Sequence, residues 1–201
     1  MLKTLQAQIK QSQINEATLV ARSEDDPNRI GDFISTFSGG RWYPLDPRVE
    51  EVHIEDIAHS LSMLCRYNGH CKYFYSVAEH CWLLSYAVPE PFRLEALIHD
   101  ASEAYTSDIP RPFKYSDSMS AFRDVEDLNA GVIYEFMGLD YPESPIVKEF
   151  DKRIVRNEGE VLLPHCTWFS GLERIPDIEI TGFAPPEMEQ LYLNRYYELK
   201  K

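Results

Sequence analysis

The sequence predicts an all-α fold, an irregular helical bundle, on three observations. From Ile54 onward, apolar residues recur at three- and four-residue intervals, which is the spacing of one face of an α-helix. Strand signals are confined to FISTFSGGRWYPLDP (33–47), where β-branched and aromatic residues mix with Gly and Pro. Prolines punctuate the periodic segments: Pro89 and Pro91, then Pro110 and Pro112, then Pro185 and Pro186.

The elements follow in chain order. Residues 3–21 read as a polar, weakly amphipathic helix that SEDDPN (23–28) ends, so 1–30 is expected to be an N-terminal extension and 31–201 one folded domain. Residues 33–47 read as extended chain and turns. Ile54, Ile57/Ala58, Leu61 and Leu64/Cys65 mark the first bundle helix, and Val77, His80/Cys81, Leu84 and Ala87/Val88 the second. Leu94, Leu97/Ile98, Ala101 and Ala104/Tyr105 predict a third, continuous helix. Two longer helices are expected near 117–137 and 145–163, then a loop rich in Gly, Pro and aromatics, then a last helix over about 185–200.

Composition bounds the function. A chain of 201 residues, 44% hydrophobic and with ten Phe, twelve Tyr and three Trp, buries a real core as one domain. No apolar run reaches the roughly 18 residues of a membrane span. The start, MLKTLQAQIKQSQ, lacks a signal-peptide core, so a cytoplasmic location (host cytoplasm for a phage-encoded protein) is expected. Cys65, Cys71, Cys81 and Cys166 show no C-x-x-C spacing and read as free thiols used as small core residues. A net charge of −13 with scattered Lys and Arg excludes nucleic acid as the main partner. A small phosphorylated substrate stays compatible where a metal or local cations reverse the field.

The chemistry centres on LIHDASEAY (97–105). His99 and Asp100 offer an imidazole and a carboxylate, a pair suited to Zn, Mn, Fe or Co rather than Ca. A lone His-Asp dipeptide is a weak signal. His80 lies in SVAEHCWLL, on an apolar helix where a buried imidazole needs a partner. Asp151 lies in KEFDKRIVRNEGEVLL beside Phe150, Ile154 and Val155, where an unpaired carboxylate is costly. Four such groups on three helices predict one divalent ion held by His80, His99, Asp100 and Asp151. Glu103, four residues after His99 and three after Asp100, shares their side of that helix. His53, His59 and His165 have no partners at ligand spacing, and Ser170 sits in no nucleophile elbow.

The order H…HD…D of these ligands resembles the HD-domain phosphohydrolases. The resemblance spans residues 34–165 and is clearest in RYNGHCKYFYSVAEH (66–80) and HDASEAYTSDIPRPFK (99–114). It points to small bacterial and phage enzymes acting on deoxynucleotides: 5′-deoxynucleotidases, prophage relatives and phage dATP triphosphohydrolases. It implies Zn, Co or Mn at the HD site, with Mg accompanying the phosphates. It implies that Glu103 and Asp108 assist catalysis, that Arg66 and Lys114 meet the phosphates, and that Tyr67 contacts substrate. Tyr67 departs from the Trp common at that position in the 5′-deoxynucleotidases. The resemblance further implies a homo-oligomer, in which the aromatic C-terminal helix packs on a partner copy or on its own core.

The expected activity is therefore hydrolysis of the 5′ phosphoester of a small-molecule deoxynucleotide. The first form is a triphosphohydrolase preferring dATP, releasing deoxynucleoside and triphosphate in phage-type nucleotide-pool control. The alternatives are a 5′-deoxynucleotidase acting on dNMPs and, in a different class, a non-catalytic nucleotide-binding HD module.

Overall fold

A computed structural model describes residues 26–201, and the helix expected over 3–21 lies outside the described residues. The described chain is an all-α irregular bundle with one short hairpin. Strands β1 (Ile34–Ser35) and β2 (Arg41–Trp42) pair antiparallel, Ile34 opposite Trp42 and Ser35 opposite Arg41. The turn between them is tied to the bundle. The Ser38 backbone N–H and hydroxyl both donate to Asp56, at 2.6 and 2.8 Å, and the buried Trp42 indole donates to Asn129 Oδ1 at 2.7 Å. Arg29, inside the stretch read as an extension, is buried against Glu51 and Asp46.

The helices are α1 (Ile54–Met63), α2 (Val77–Ala87), α3 (Arg93–Ile98), α4 (Glu103–Thr106), α5 (Arg111–Lys114), α6 (Ser120–Met137), α7 (Pro145–Leu162) and α8 (Pro185–Leu199). Their starts carry the expected chemistry. Ser76 and Ser144 side chains accept from the N–H of Glu79 and Val147, capping α2 and α7, and prolines open α7 and α8. Gly138, at φ 71°, ends α6 in the left-handed conformation that a residue without Cβ adopts freely. No described helix is long and apolar enough to cross a membrane.

α2 is the centre of the bundle. It packs against α1, α3, α7 and α8 and is buried on nearly every side, from Val77 through Ser85 apart from Trp82. Ala78 and Cys81 belong to one apolar cluster with Trp42, Ile57, Leu61, Leu97, Ile133 and Tyr192. Leu83, Leu84 and Val88 belong to a second, with Ala96, Val147, Ile154, Leu162 and Phe169. Polar groups on such a helix need partners. Glu79, fully buried, finds three: its carboxylate accepts the N–H groups of Thr181, Gly182 and Phe183, each at 2.9 Å, and so pins the loop before α8.

One expected element is corrected. The third helix does not run unbroken through Tyr105; it stops at Ile98, and residues 99–102 form tight turns before α4. The cause is local. The His99 imidazole donates to the Ala96 carbonyl at 2.8 Å, the acceptor that a continuing helix would offer to the Asp100 N–H. The chain tightens instead, with Ala101 N–H on Ile98 O and Glu103 N–H on Asp100 O. Similarly, Cys65 lies just beyond α1 rather than in it, bridging to Ser76 across an isolated antiparallel pair.

Candidate metal centre

Three elements converge where the sequence expected them to: α2 with His80, the turn after α3 with His99 and Asp100, and the middle of α7 with Asp151. His80 Nε2 lies 3.2 Å from His99 Nε2 and 3.1 Å from Asp151 Oδ1. Asp100 Oδ2 lies 3.2 Å from His99 Nε2 and 3.7 Å from His80 Nε2, while His99 Nε2 and Asp151 Oδ1 are 3.9 Å apart. Ligand bonds of about 2.0–2.2 Å set neighbouring donors roughly 3 to 3.5 Å apart, so these separations suit a shared first-row ion. Among the described residues, the groups able to hold a metal form two triads that share His99: His80, His99 and Asp151, and Cys81, His99 and Asp100.

The tautomers agree with that reading. A carbonyl can only accept, so His99 carries its proton on Nδ1 toward Ala96 and presents a lone pair at Nε2. His80 Nδ1 lies 2.6 Å from Glu158 Oε1 and donates to it, which also leaves Nε2 as a donor atom. Two imidazole lone pairs 3.2 Å apart require a cation between them, a proton or a metal. Although burial opposes it, Asp100 holds the His99 imidazolium form well above the usual range. Burial likewise pushes the Asp100 carboxyl up, but His99 outweighs it and leaves Asp100 ionised far below its ordinary range.

Glu158, two turns after Asp151 on α7, is the residue that sequence reasoning missed and had a signal for. Its carboxylate is fully buried and accepts from Tyr75 OH at 2.9 Å, from Tyr67 OH and from His80. Arg66 completes the set, one guanidinium nitrogen 3.5 Å from Glu158 Oε2 and the other 3.5 Å from Asp100 Oδ2. Burial raises the Glu158 carboxyl, but Arg66 and then His80 overcome it and hold it down at about 2. Tyr67, expected at the substrate, directs its hydroxyl to this inner carboxylate. Arg66 and Tyr67 are presented by a left-handed turn, with Tyr67, Asn68 and Gly69 all at positive φ.

The other side of the centre is acidic. Glu103 is buried beside Asp100, and one of its oxygens has no hydrogen-bond partner among the described residues. Burial, then Asp100 and Asp108, push its carboxyl well above the usual range. Burial also raises Asp108, which Arg66 opposes and Asp100 reinforces. Lys114 reaches in from α5 to Glu126 Oε2 at 2.6 Å, within the fields of Glu103 and Asp100. Glu126 and Glu143 each keep a buried oxygen unpartnered among the described residues, as does the Tyr134 hydroxyl. Burial pushes Glu143 up to about 7, against His99 and reinforced by Asp151. Neither glutamate was identified from the sequence. Glu126 looks like an ordinary helix residue and Glu143 a loop residue, and only the fold carries them here.

No family model matches the chain. Over 173 residues it is 38% identical to YfdR of Escherichia coli (strain K12), across 84% of this chain and 96% of that protein. Over 185 residues it is 33% identical to RCAP_rcc00048 of Rhodobacter capsulatus, across 81% of this chain and 92% of that protein. Neither name carries an activity, so these matches give kinship and leave the chemistry to the site.

Proposed function

This chain belongs to the family of Escherichia coli YfdR, and on that premise we propose that it is a metal-dependent phosphohydrolase acting on the 5′ phosphoester of deoxynucleotides. The observation that carries the proposal is the convergence of His80 Nε2, His99 Nε2, Asp100 Oδ2 and Asp151 Oδ1, with the far nitrogen of each imidazole already committed. The resemblance of this ligand order to the HD-domain phosphohydrolases supplies the reaction class. A divalent ion held there would supply a bound water of lowered pKa and positive charge beside the phosphoryl oxygens.

The chain's own residues supply the rest. Glu103, buried with an oxygen unsatisfied, is placed to hold or pass a proton, and Asp108 shares that task. Arg66, one guanidinium edge on Asp100, orients a phosphate against the ligand set. Lys114 offsets charge from the opposite wall.

One observation bears on the length of the phosphate tail. Arg66 and Lys114 at the centre are already matched by buried carboxylates, Arg66 by Glu158 and Lys114 by Glu126. A triphosphate carries more charge than a monophosphate and gains little from cations that are already paired, the divalent ion being common to both substrates. This favours the dNMP reading, a 5′-deoxynucleotidase, over the dATP triphosphohydrolase.

The test is a substrate panel. Protein reconstituted with Mn, Co, Zn or Mg is assayed on dNMPs, dNDPs and dNTPs, with phosphate detection and chromatography of products. Release of deoxynucleoside and phosphate from dNMPs is expected, with turnover and metal content both lost in Asp100→Ala. Triphosphate release from dATP would restore the longer-tailed substrate. Tight nucleotide binding without turnover under every metal would reduce the protein to a binding module.

A further inference from the structure

The four cysteines read alike in the sequence, but two of them meet in the fold. Cys65 Sγ and Cys71 Sγ lie 3.5 Å apart, which is van der Waals contact for sulfur, and Cys71 Sγ also lies 3.8 Å from the Arg66 carbonyl. Two features enforce the meeting. Cys65 is fixed by its bridge to Ser76 and by the neighbouring Arg66 N–H on Tyr75 O at 2.9 Å. Tyr67, Asn68 and Gly69, at φ 56°, 52° and 75°, then turn the chain back so that residue 71 returns to residue 65. Lys72 N–H is held by Leu162 O at 2.8 Å, so the returning strand is anchored as well. Both residues are half-buried, whereas Cys81 is sealed in the core.

We propose that Cys65 and Cys71 are an oxidisable dithiol, a modification site for peroxide whose disulfide displaces Arg66 from the candidate centre. In the first step the Cys65 thiol gives up its proton and attacks hydrogen peroxide as the thiolate; the O–O bond breaks, giving Cys65 sulfenic acid and a hydroxide that takes up that proton as water. In the second, the Cys71 sulfur attacks that sulfenic sulfur, the S–S bond forms, and hydroxide leaves to take up the Cys71 proton as a second water. Two thiols are oxidised and one peroxide is reduced. Burial and the adjacent Cys65 thiol push the Cys71 thiol up to about 11.

The consequence for Arg66 is geometric. A disulfide holds its sulfurs about 2.05 Å apart, so the pair must close by roughly 1.5 Å in a turn already strained by two left-handed non-glycine residues. Arg66 is the residue next to Cys65, and its guanidinium sits 3.5 Å from both Asp100 and Glu158. A displacement on the order of 1 Å at a phosphate-orienting group costs tenfold or more in turnover. This second half rests on the phosphohydrolase reading; the dithiol chemistry does not.

The experiment uses the full chain carrying Cys166→Ser, to remove the exposed thiol, titrated with hydrogen peroxide and then alkylated. Loss of two hydrogens from the intact mass is expected, with Cys65 and Cys71 protected from alkylation together and restored by dithiothreitol. Cys65→Ser and Cys71→Ser should each abolish that mass change while keeping basal turnover. Peroxide-treated protein in which both thiols remain alkylatable, or in which Cys65 proceeds to sulfinic acid, would overturn the dithiol. A disulfide that forms but leaves dNMP turnover unchanged would overturn its link to Arg66. If the protein hydrolyses no nucleotide at all, the mass measurement still decides the first half.

Discussion

The candidate centre has two halves that meet the same problem, buried charge, in opposite ways. Around Glu158 the charge is matched: Tyr67, Tyr75, His80 and Arg66 all face one carboxylate, which is held ionised at about 2. Around Glu103 and Glu143 it is not, since each keeps a buried oxygen without a partner among the described residues and each carboxyl is pushed up by burial. A satisfied network fixes geometry before any ligand arrives, whereas unsatisfied oxygens mark where a proton, a water or a substrate has yet to be accommodated. On the proposed function, the difference separates a scaffold that orients His80 and Arg66 from a wall that meets the substrate and its protons.

The largest effect is expected from Glu103→Gln. On the proposed reading this isosteric change should lower kcat by about 10²–10⁴-fold, the usual contribution of a positioned acid or base. Metal content and thermal stability should hold, because the substitution removes a buried, under-satisfied carboxyl rather than a paired one. Metal analysis, calorimetry and steady-state kinetics on the same preparation check all three. A large fall in melting temperature alongside the kinetic loss would make Glu103 part of the scaffold.

Glu158→Gln is expected to do the reverse. It leaves Arg66 without its fully buried partner, at a cost of about 3 kcal/mol in urea unfolding. It also loosens the orientation of His80, which should weaken metal binding about 10- to 100-fold. Because the folded Glu158 carboxyl sits at about 2, below its ordinary 4.5, the stability it contributes is complete above pH 4.5 and is lost as pH falls toward 2. The metal-free Gln variant should lack that acid limb. Unchanged metal affinity would show that His80 needs no carboxylate behind it.

How much of this the sequence carried depends on what holds each residue in place. His80 and Asp151 were legible because each interrupts an apolar helix face, where an ionisable group demands a partner. The helices were legible for the same reason, periodic burial. The break at 99–102 was not, because periodicity cannot see that the His99 side chain captures the Ala96 carbonyl. Glu158 repeats the position of Asp151 two turns later, and its pairing could have been suspected. Glu126, Glu143 and the Cys65–Cys71 contact depend on loop and helix placement through tertiary contacts and three left-handed residues, for which residue spacing holds no signal.

The smallest effect is the most direct test of the contrast, since it should have the opposite sign. Glu143 precedes the Ser144 cap of α7, lies within the field of His99 and Asp151, and is raised from 4.5 to about 7, first by burial. For a carboxyl whose folded pKa lies above its unfolded value, the native state binds the extra proton. Its contribution to stability is therefore complete below pH 4.5 and declines as pH rises to 7, beyond which the fold carries a buried, poorly matched charge. Glu143→Gln removes that charge while keeping the shape. It should raise stability at pH 8 by on the order of 1 kcal/mol, typical of a single stabilising change, and leave stability near pH 4 unaltered. Urea unfolding of metal-free protein across that range reads the difference between the two slopes. A variant less stable than the parent at pH 8 would mean that Glu143 is matched after all, and the two halves of the centre would no longer differ in kind.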